Sequence, residues 1–122
     1  MNAQPIEREL SIDVGKVSSE LRIRPEVYVR IVRSFADNLG GKMHDLDEAL
    51  SGNDVSRMRS ILHEVKGTAS NLRLRTISEP EEIMHAAVTA GDDSHKLSGY
   101  LEDLKSETRR LQGYVKDLEI PS

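Results

Sequence analysis

Along most of the chain, apolar residues recur at steps of three and four, the spacing that lays a stripe along one face of an α-helix. Nowhere do they alternate with polar residues in the period of two that a half-buried strand requires. The strongest stripe lies between Pro25 and Leu50, where Tyr28, Ile31, Val32, Phe35, Leu39, Met43, Leu46, Ala49 and Leu50 share a face. Pro25 suits the first turn of this helix, because its missing N–H would have no intrahelical partner there, and Glu26 favours the positive end of the dipole. Gly52 ends the helix, and the Gly40-Gly41 pair inside it is a candidate kink.

Asn53 or Asp54 then caps a second helix carrying Val55, Met58, Ile61, Leu62, Val65, Ala69 and Leu72, expected to last to about Leu74. Pro80-Glu81-Glu82 reads as the first turn of a third, shorter helix with Ile83, Met84, Ala87 and Val88 as its apolar face and Gly91 as its stop. After Asp92-Asp93-Ser94, the residues Leu97, Leu101, Leu104, Thr108, Leu111, Val115 and Leu118 keep a seven-residue double step until Pro121, which predicts a long last helix. Ahead of all these, Ile6, Leu10, Val14, Val17 and Leu21 form one more helix, interrupted by Gly15 and ending before Arg24-Pro25. Long and medium helices joined by short turns bury their stripes by packing antiparallel, so the expected fold is all-α with the N-terminal helix as a cap. The step of the last helix also resembles coiled-coil a and d positions, but so few repeats usually form one seam inside a single chain, and a monomer is expected.

Composition narrows the function. At 122 residues the chain fits a single domain, residues 1–122, since halves would bury too little core. Seventeen Lys and Arg against twenty-one Asp and Glu give a net charge of -4, with no basic excess to hold a nucleic-acid backbone or an anionic bilayer. No Cys is present, which removes disulfides, thiolate nucleophiles and Cys-type zinc sites. The mean hydropathy of -0.50 and the short apolar runs argue against a membrane span or a secretory signal, so a cytoplasmic location is expected. Aromatics are only 3% of residues, too few for the stacking platforms of single-stranded nucleic-acid binders.

Of the four histidines, His63 is set apart by its surroundings. On a wheel turning about 100° per residue, it lies roughly 150° from the centre of its helix's apolar stripe, so its imidazole should face solvent. Its neighbours three, four and seven residues away are Ser56, Arg59, Ser60, Lys66, Gly67 and Ser70, none of them acidic, and Glu64 projects about a quarter turn away. Gly67 costs roughly 1 kcal/mol relative to Ala inside a helix, and it leaves bare backbone beside the ring where a partner could approach. This combination suits an imidazole that attacks a phosphoryl group and holds it as a phosphoramidate until an acceptor takes it. Lys66 and Arg59 would depress the imidazole pKa and offset charge on the phosphoryl oxygens. A carboxylate-histidine metal site using His44 or His85 with Asp45, Asp47, Glu48 or Glu82 is the weaker chemistry. Glu82 and His85 have the inward Glu-x-x-His spacing, but the long helix has no Glu three residues before His44, and no metal is expected.

The stretch His63-Glu64-Val65-Lys66-Gly67-Thr68-Ala69-Ser70-Asn71-Leu72 resembles the signature of histidine-containing phosphotransfer (HPt) domains, in which His, any residue, an apolar residue, Lys and Gly lead through small residues to Leu. The similarity extends to the long preceding helix around Tyr28-Val29-Arg30-Ile31-Val32-Arg33-Ser34-Phe35, a Gly-Asn-Asp turn and the Ala90-Gly91-Asp92 turn, covering about residues 10–118. The resemblance implies an antiparallel up-and-down four-helix bundle with an additional N-terminal helix, in which His63 carries phosphate between receiver-domain aspartates. The implied partners are a response-regulator receiver domain and a sensor histidine kinase. The chain itself would be neither kinase nor phosphatase and would need no cofactor, since the receiver supplies the Asp and the Mg²⁺. Lys66 and Arg59 would assist, with Gly67, Ser60, Ser70 and Ser56 on the docking rim. Many family members have Gly where this chain has Arg73, and an uninterrupted helix where it has Pro80, so the loop after the second strong helix is expected to be longer or kinked. The competing readings are a helical adaptor without phosphotransfer and an HPt-like module of a chemotaxis-type kinase.

Overall fold

A computed structural model describes residues 10–120. Among these the secondary structure is entirely helical: α1 (Val14–Leu21), α2 (Pro25–Ser51), α3 (Val55–Asn71), α4 (Arg75–Ala90) and α5 (Ser94–Lys116). Three starts are capped by an aspartate whose side chain accepts from a backbone N–H three residues on: Asp13 from Lys16, Asp54 from Arg57 and Asp93 from Lys96. Pro25 occupies the first turn of α2. Gly91 ends α4 at φ 78°, a left-handed conformation that glycine adopts without the steric cost other residues incur.

Several boundaries differ from those the sequence suggests. Helix α1 begins only at Val14, so Leu10 precedes it and Gly15 lies in its first turn instead of interrupting it; Ile6 lies outside the described residues. Helix α2 runs unbroken through Gly40-Gly41. Helix α3 stops at Asn71, and only Leu72, Arg73 and Leu74 separate it from α4, so the expected longer loop is absent. Pro80 stands inside α4, five residues after Arg75. A proline this close to a helix start forfeits one N–H donor, the one that would meet the Thr76 carbonyl. The early turn is held nonetheless, because Leu74 and Ile77 are driven into the core.

The core is one cluster drawn from all five helices. In α2, Val29, Val32, Ala36, Leu39, Met43 and Leu46 are buried, while Ile31 is 40% exposed and Phe35 only partly covered. The buried arc is therefore rotated from the expected stripe, because α2 faces two neighbours, α3 on one side and α5 on the other. In α4, Ile77, Pro80, Glu81, Met84, Ala87 and Val88 point inward and Ile83 points out, the reverse of what starting the helix at Pro80 suggests for Ile83. The seven-residue step of α5 is used from Leu97 through Leu101, Leu104, Thr108 and Leu111 to Val115, all buried. The helix ends at Lys116, so Leu118, the last residue of the expected stripe, lies beyond it and is only partly buried.

Each of α2, α3, α4 and α5 packs on two of the others, α2 on α3 and α5, α4 on α3 and α5, and α1 packs on α2. Polar links fix these pairs. Lys105 of α5 bonds Asp47 of α2 at 2.7 Å, and that hydrogen bond raises the lysine pKa above its ordinary value. Gln112 donates to the Ala36 carbonyl at 3.0 Å. The Arg33 guanidinium donates to the Val115 and Leu118 carbonyls at 3.0 and 2.9 Å, tying α2 to the end of α5 and the residues just after it. Thr76 of α4 donates to the buried carboxylate of Glu107 on α5.

The short α3–α4 connection is tied to α2 by Tyr28, whose buried hydroxyl donates to the Leu72 carbonyl at 2.7 Å. Burial pushes the phenol up to about 12, so the donor keeps its proton at any working pH. Arg73 next to it is left-handed at φ 63°, which gives a physical reason for glycine to be favoured at this point. Its guanidinium partly offsets the strain by donating to the Ser70 and Asn71 carbonyls at 3.3 and 3.0 Å. Tyr28→Phe should leave the Leu72 carbonyl buried without its donor and lower stability by about 1–3 kcal/mol with the helical content unchanged, as read by urea denaturation followed by circular dichroism.

Candidate functional site

Helix α3 buries Met58, Ile61, Leu62, Val65, Ala69 and Leu72 between α2 and α4. That arc turns His63 to the outside, where the residue is exposed. Ser56, Arg59, Ser60, Lys66, Gly67 and Ser70 are exposed on the same helix, as the wheel predicts. A Cβ placed on Gly67 would meet nothing within 4 Å, so the backbone there is open to solvent. Glu64 leans the other way, toward α2, and forms an ion pair with Lys42 at 2.9 Å.

The absence of acids around His63 holds only along α3. Helix α4 lies beside it, and a cavity of about 300 Å³ between the two is lined by His63, Lys66, Glu81, Glu82, His85 and Ala86. Lys66 sits 3.4 Å from Glu82, with both side chains about half exposed. The cation expected to face the imidazole therefore already has a carboxylate partner across the cavity. Of the predicted site residues, His63 and Lys66 are brought together here; Arg59, Ser56, Ser60, Gly67 and Ser70 remain on the exposed face of α3 outside the cavity.

Glu81 is the group that helical periodicity missed. It is 0% exposed, and neither carboxyl oxygen has a hydrogen-bond partner. Loss of hydration raises its pKa from the ordinary 4.5 to about 7, against the pull of the Lys66 charge, which lowers it, and with help from Glu82, which raises it further. The true start of α4 at Arg75 was the missing signal: once Ile77 and Met84 define the inward face, Glu81 falls on it. Among the described residues, no group of three His, Asp or Glu side chains is arranged to hold a metal ion; His44 instead pairs with Glu48 at 2.7 Å along α2.

On the other flank of α3, an open groove against α2 is lined by Ile31, Phe35, Leu39, Lys42, Val65 and Thr68 among others. Exposed Ile31 and partly covered Phe35, both of the expected stripe, give it an apolar lining. His63 thus stands on a ridge, with a charged cavity toward α4 and an apolar groove toward α2. Among the described residues, no helix is long and apolar enough to cross a membrane.

No family model matches the chain, and no curated protein or solved structure matches it.

The raised Glu81 pKa has a definite sign in stability. The folded chain holds this proton more tightly than the unfolded one, so the penalty for ionising it is absent well below pH 4.5 and accumulates as pH rises to about 7. Glu81→Gln cannot ionise, and its stability relative to wild type should rise by about 3 kcal/mol between about pH 4 and about pH 8 in denaturant titrations. Gly67→Ala, with open space at the new methyl, should stabilise the chain by about 0.5–1 kcal/mol in the same assay.

Proposed function

We propose that this chain is a histidine phosphotransfer protein, in which His63 accepts a phosphoryl group from a receiver-domain aspartate and returns it to another. The observation that carries this reading is an exposed imidazole on the ridge of α3, with the Lys66 ammonium beside it and the uncovered Gly67 backbone one turn on. The attack forms a bond between an imidazole nitrogen and phosphorus as the aspartyl–phosphate bond breaks, and the aspartate leaves as a free carboxylate. The chain contributes the nucleophile and nearby positive charge; the receiver contributes the aspartate and its Mg²⁺. Arg59, a turn before His63, adds to the positive field around the phosphoryl oxygens.

The packing pattern supports the up-and-down four-helix bundle that this reading requires. Between α2 and α3, Tyr28 meets Leu72 and Lys42 meets Glu64; between α2 and α5, Arg33 meets Val115 and Asp47 meets Lys105. In both pairs the partner number falls as the α2 number rises, the mark of antiparallel neighbours. Helix α1 adds the N-terminal cap.

The receiver docks over α3 with its apolar contacts in the Ile31–Phe35 groove and its polar rim on Arg59, Gly67, Ser60, Ser70 and Ser56. Such transient contacts are small, with an apolar centre and a wetter edge. A sensor histidine kinase lies upstream, the chain acts as a cytoplasmic monomer, and it has no kinase or phosphatase activity of its own.

Incubation with a phosphorylated receiver tests this directly. Wild type should become labelled, His63→Gln should not, and both should keep the same helical content; labelling that survives in His63→Gln would sink the assignment. Gly67→Gln should fold normally yet transfer at a strongly reduced rate, because its side chain would cover the approach to the ring. Transfer at the wild-type rate would remove the steric role of Gly67.

A further inference from the structure

The cavity between α3 and α4 holds more charge than the proposed chemistry uses. Lys66 is its one ammonium, and it faces His63 on its own helix and Glu81 and Glu82 on the other. Glu82 is half exposed, so water and salt weaken its hold on Lys66. Glu81 is different: it is fully buried, both of its oxygens lack hydrogen-bond partners, and it borders the same cavity. A carboxylate in so poorly solvated a position acts on a nearby ammonium much more strongly than an exposed one does.

We propose that Glu81 is a positioning residue for Lys66: when ionised it draws the ammonium to the α4 side of the cavity, and when neutral it leaves the ammonium to the His63 ring and its phosphoryl group. The proposal rests on the phosphotransfer reading for its consequence, though not for the coupling between Glu81 and Lys66. The charges acting on Glu81 come from Lys66 on α3 and from Glu82 on its own helix, and His63 and His85 share the cavity wall. Helix α5, the other neighbour of α4, brings the Glu107 carboxylate, which is engaged by Thr76 and Arg110. Burial moves the ionisation of Glu81 to about neutrality, so the two positions of Lys66 exchange over an accessible pH range.

A negatively charged phosphoryl group on His63 competes with Glu81 for the same ammonium. Phosphorylation that wins Lys66 away removes the positive charge that favours the Glu81 carboxylate, and the carboxyl then takes up a proton. Loading of the imidazole and protonation of Glu81 are thereby linked through one lysine.

The test uses the intact chain and follows the Lys66 Cε–H and His63 ring signals by NMR from about pH 5 to about pH 9. Wild type should show a step in the Lys66 signals near neutrality that vanishes in Glu81→Gln and persists in Glu82→Gln. Lys66 signals that stay flat in wild type, or a step that survives unchanged in Glu81→Gln, overturn the proposal. This measurement needs no phosphoryl donor, so it decides the role of Glu81 even where a failure to label wild type has removed the phosphotransfer reading. In labelled protein, Glu81→Gln should flatten the pH profile of transfer, and in a Lys66→Ala background it should change nothing further. An equal effect of Glu81→Gln with and without Lys66 would mean that it does not act through the lysine, and would also overturn the proposal.

Discussion

The arrangement around His63 depends on how much of each helix its neighbours cover. Helix α3 packs on α2 and α4 and not on α5, so its buried arc is broad but one-sided, running from Met58 through Leu62 and Val65 to Leu72. The rest of its surface is left to water. That constraint puts an imidazole, a lysine, three serines and a glycine in the open. It also fixes what flanks them, because the two edges of the arc meet different helices: an apolar groove on the α2 side and a cluster of ionisable groups on the α4 side.

Helix α4 is the least regular of the set and the most consequential for the site. It begins without a side-chain cap, carries a proline within its second turn and buries a glutamate on its inner face. Each of these weakens a helix taken alone. Insertion of Leu74, Ile77 and Met84 into the core offsets them, as does the anchoring of the preceding loop by Tyr28. Stability is thus given up beside the exposed histidine and recovered elsewhere in the core.

Most of the helices were legible from spacing. Asp54, one of the two residues offered as a cap, the Pro25 start, the Gly91 stop and the α5 stripe from Leu97 to Val115 all follow from local chemistry, while Asn53, the other candidate cap, is left-handed at φ 51°. The start of α4 was not, because Pro80 is itself a strong first-turn signal and only tertiary burial of Leu74 and Ile77 carries the helix back to Arg75. That misplacement hid Glu81. The exposure of His63 could be read from its own helix, since it depends on residues three to seven positions away. The Lys66–Glu82 pair could not, because a carboxylate sixteen positions downstream becomes a neighbour only when two helices lie side by side.

Helix lengths carry a last consequence. At about 1.5 Å per residue, α2 and α5 with 27 and 23 residues reach about 40 and 35 Å, against about 25 Å for α3 and α4 with 17 and 16. At one pole Arg33 of α2 clasps the end of α5, and the Ile12 N–H donates to the Tyr114 hydroxyl. Leu10 and Ile120, the outermost described residues, lie close to these contacts along the chain. A tether or fluorophore attached there would ride at one tip of the particle and leave the long flanks free for other molecules.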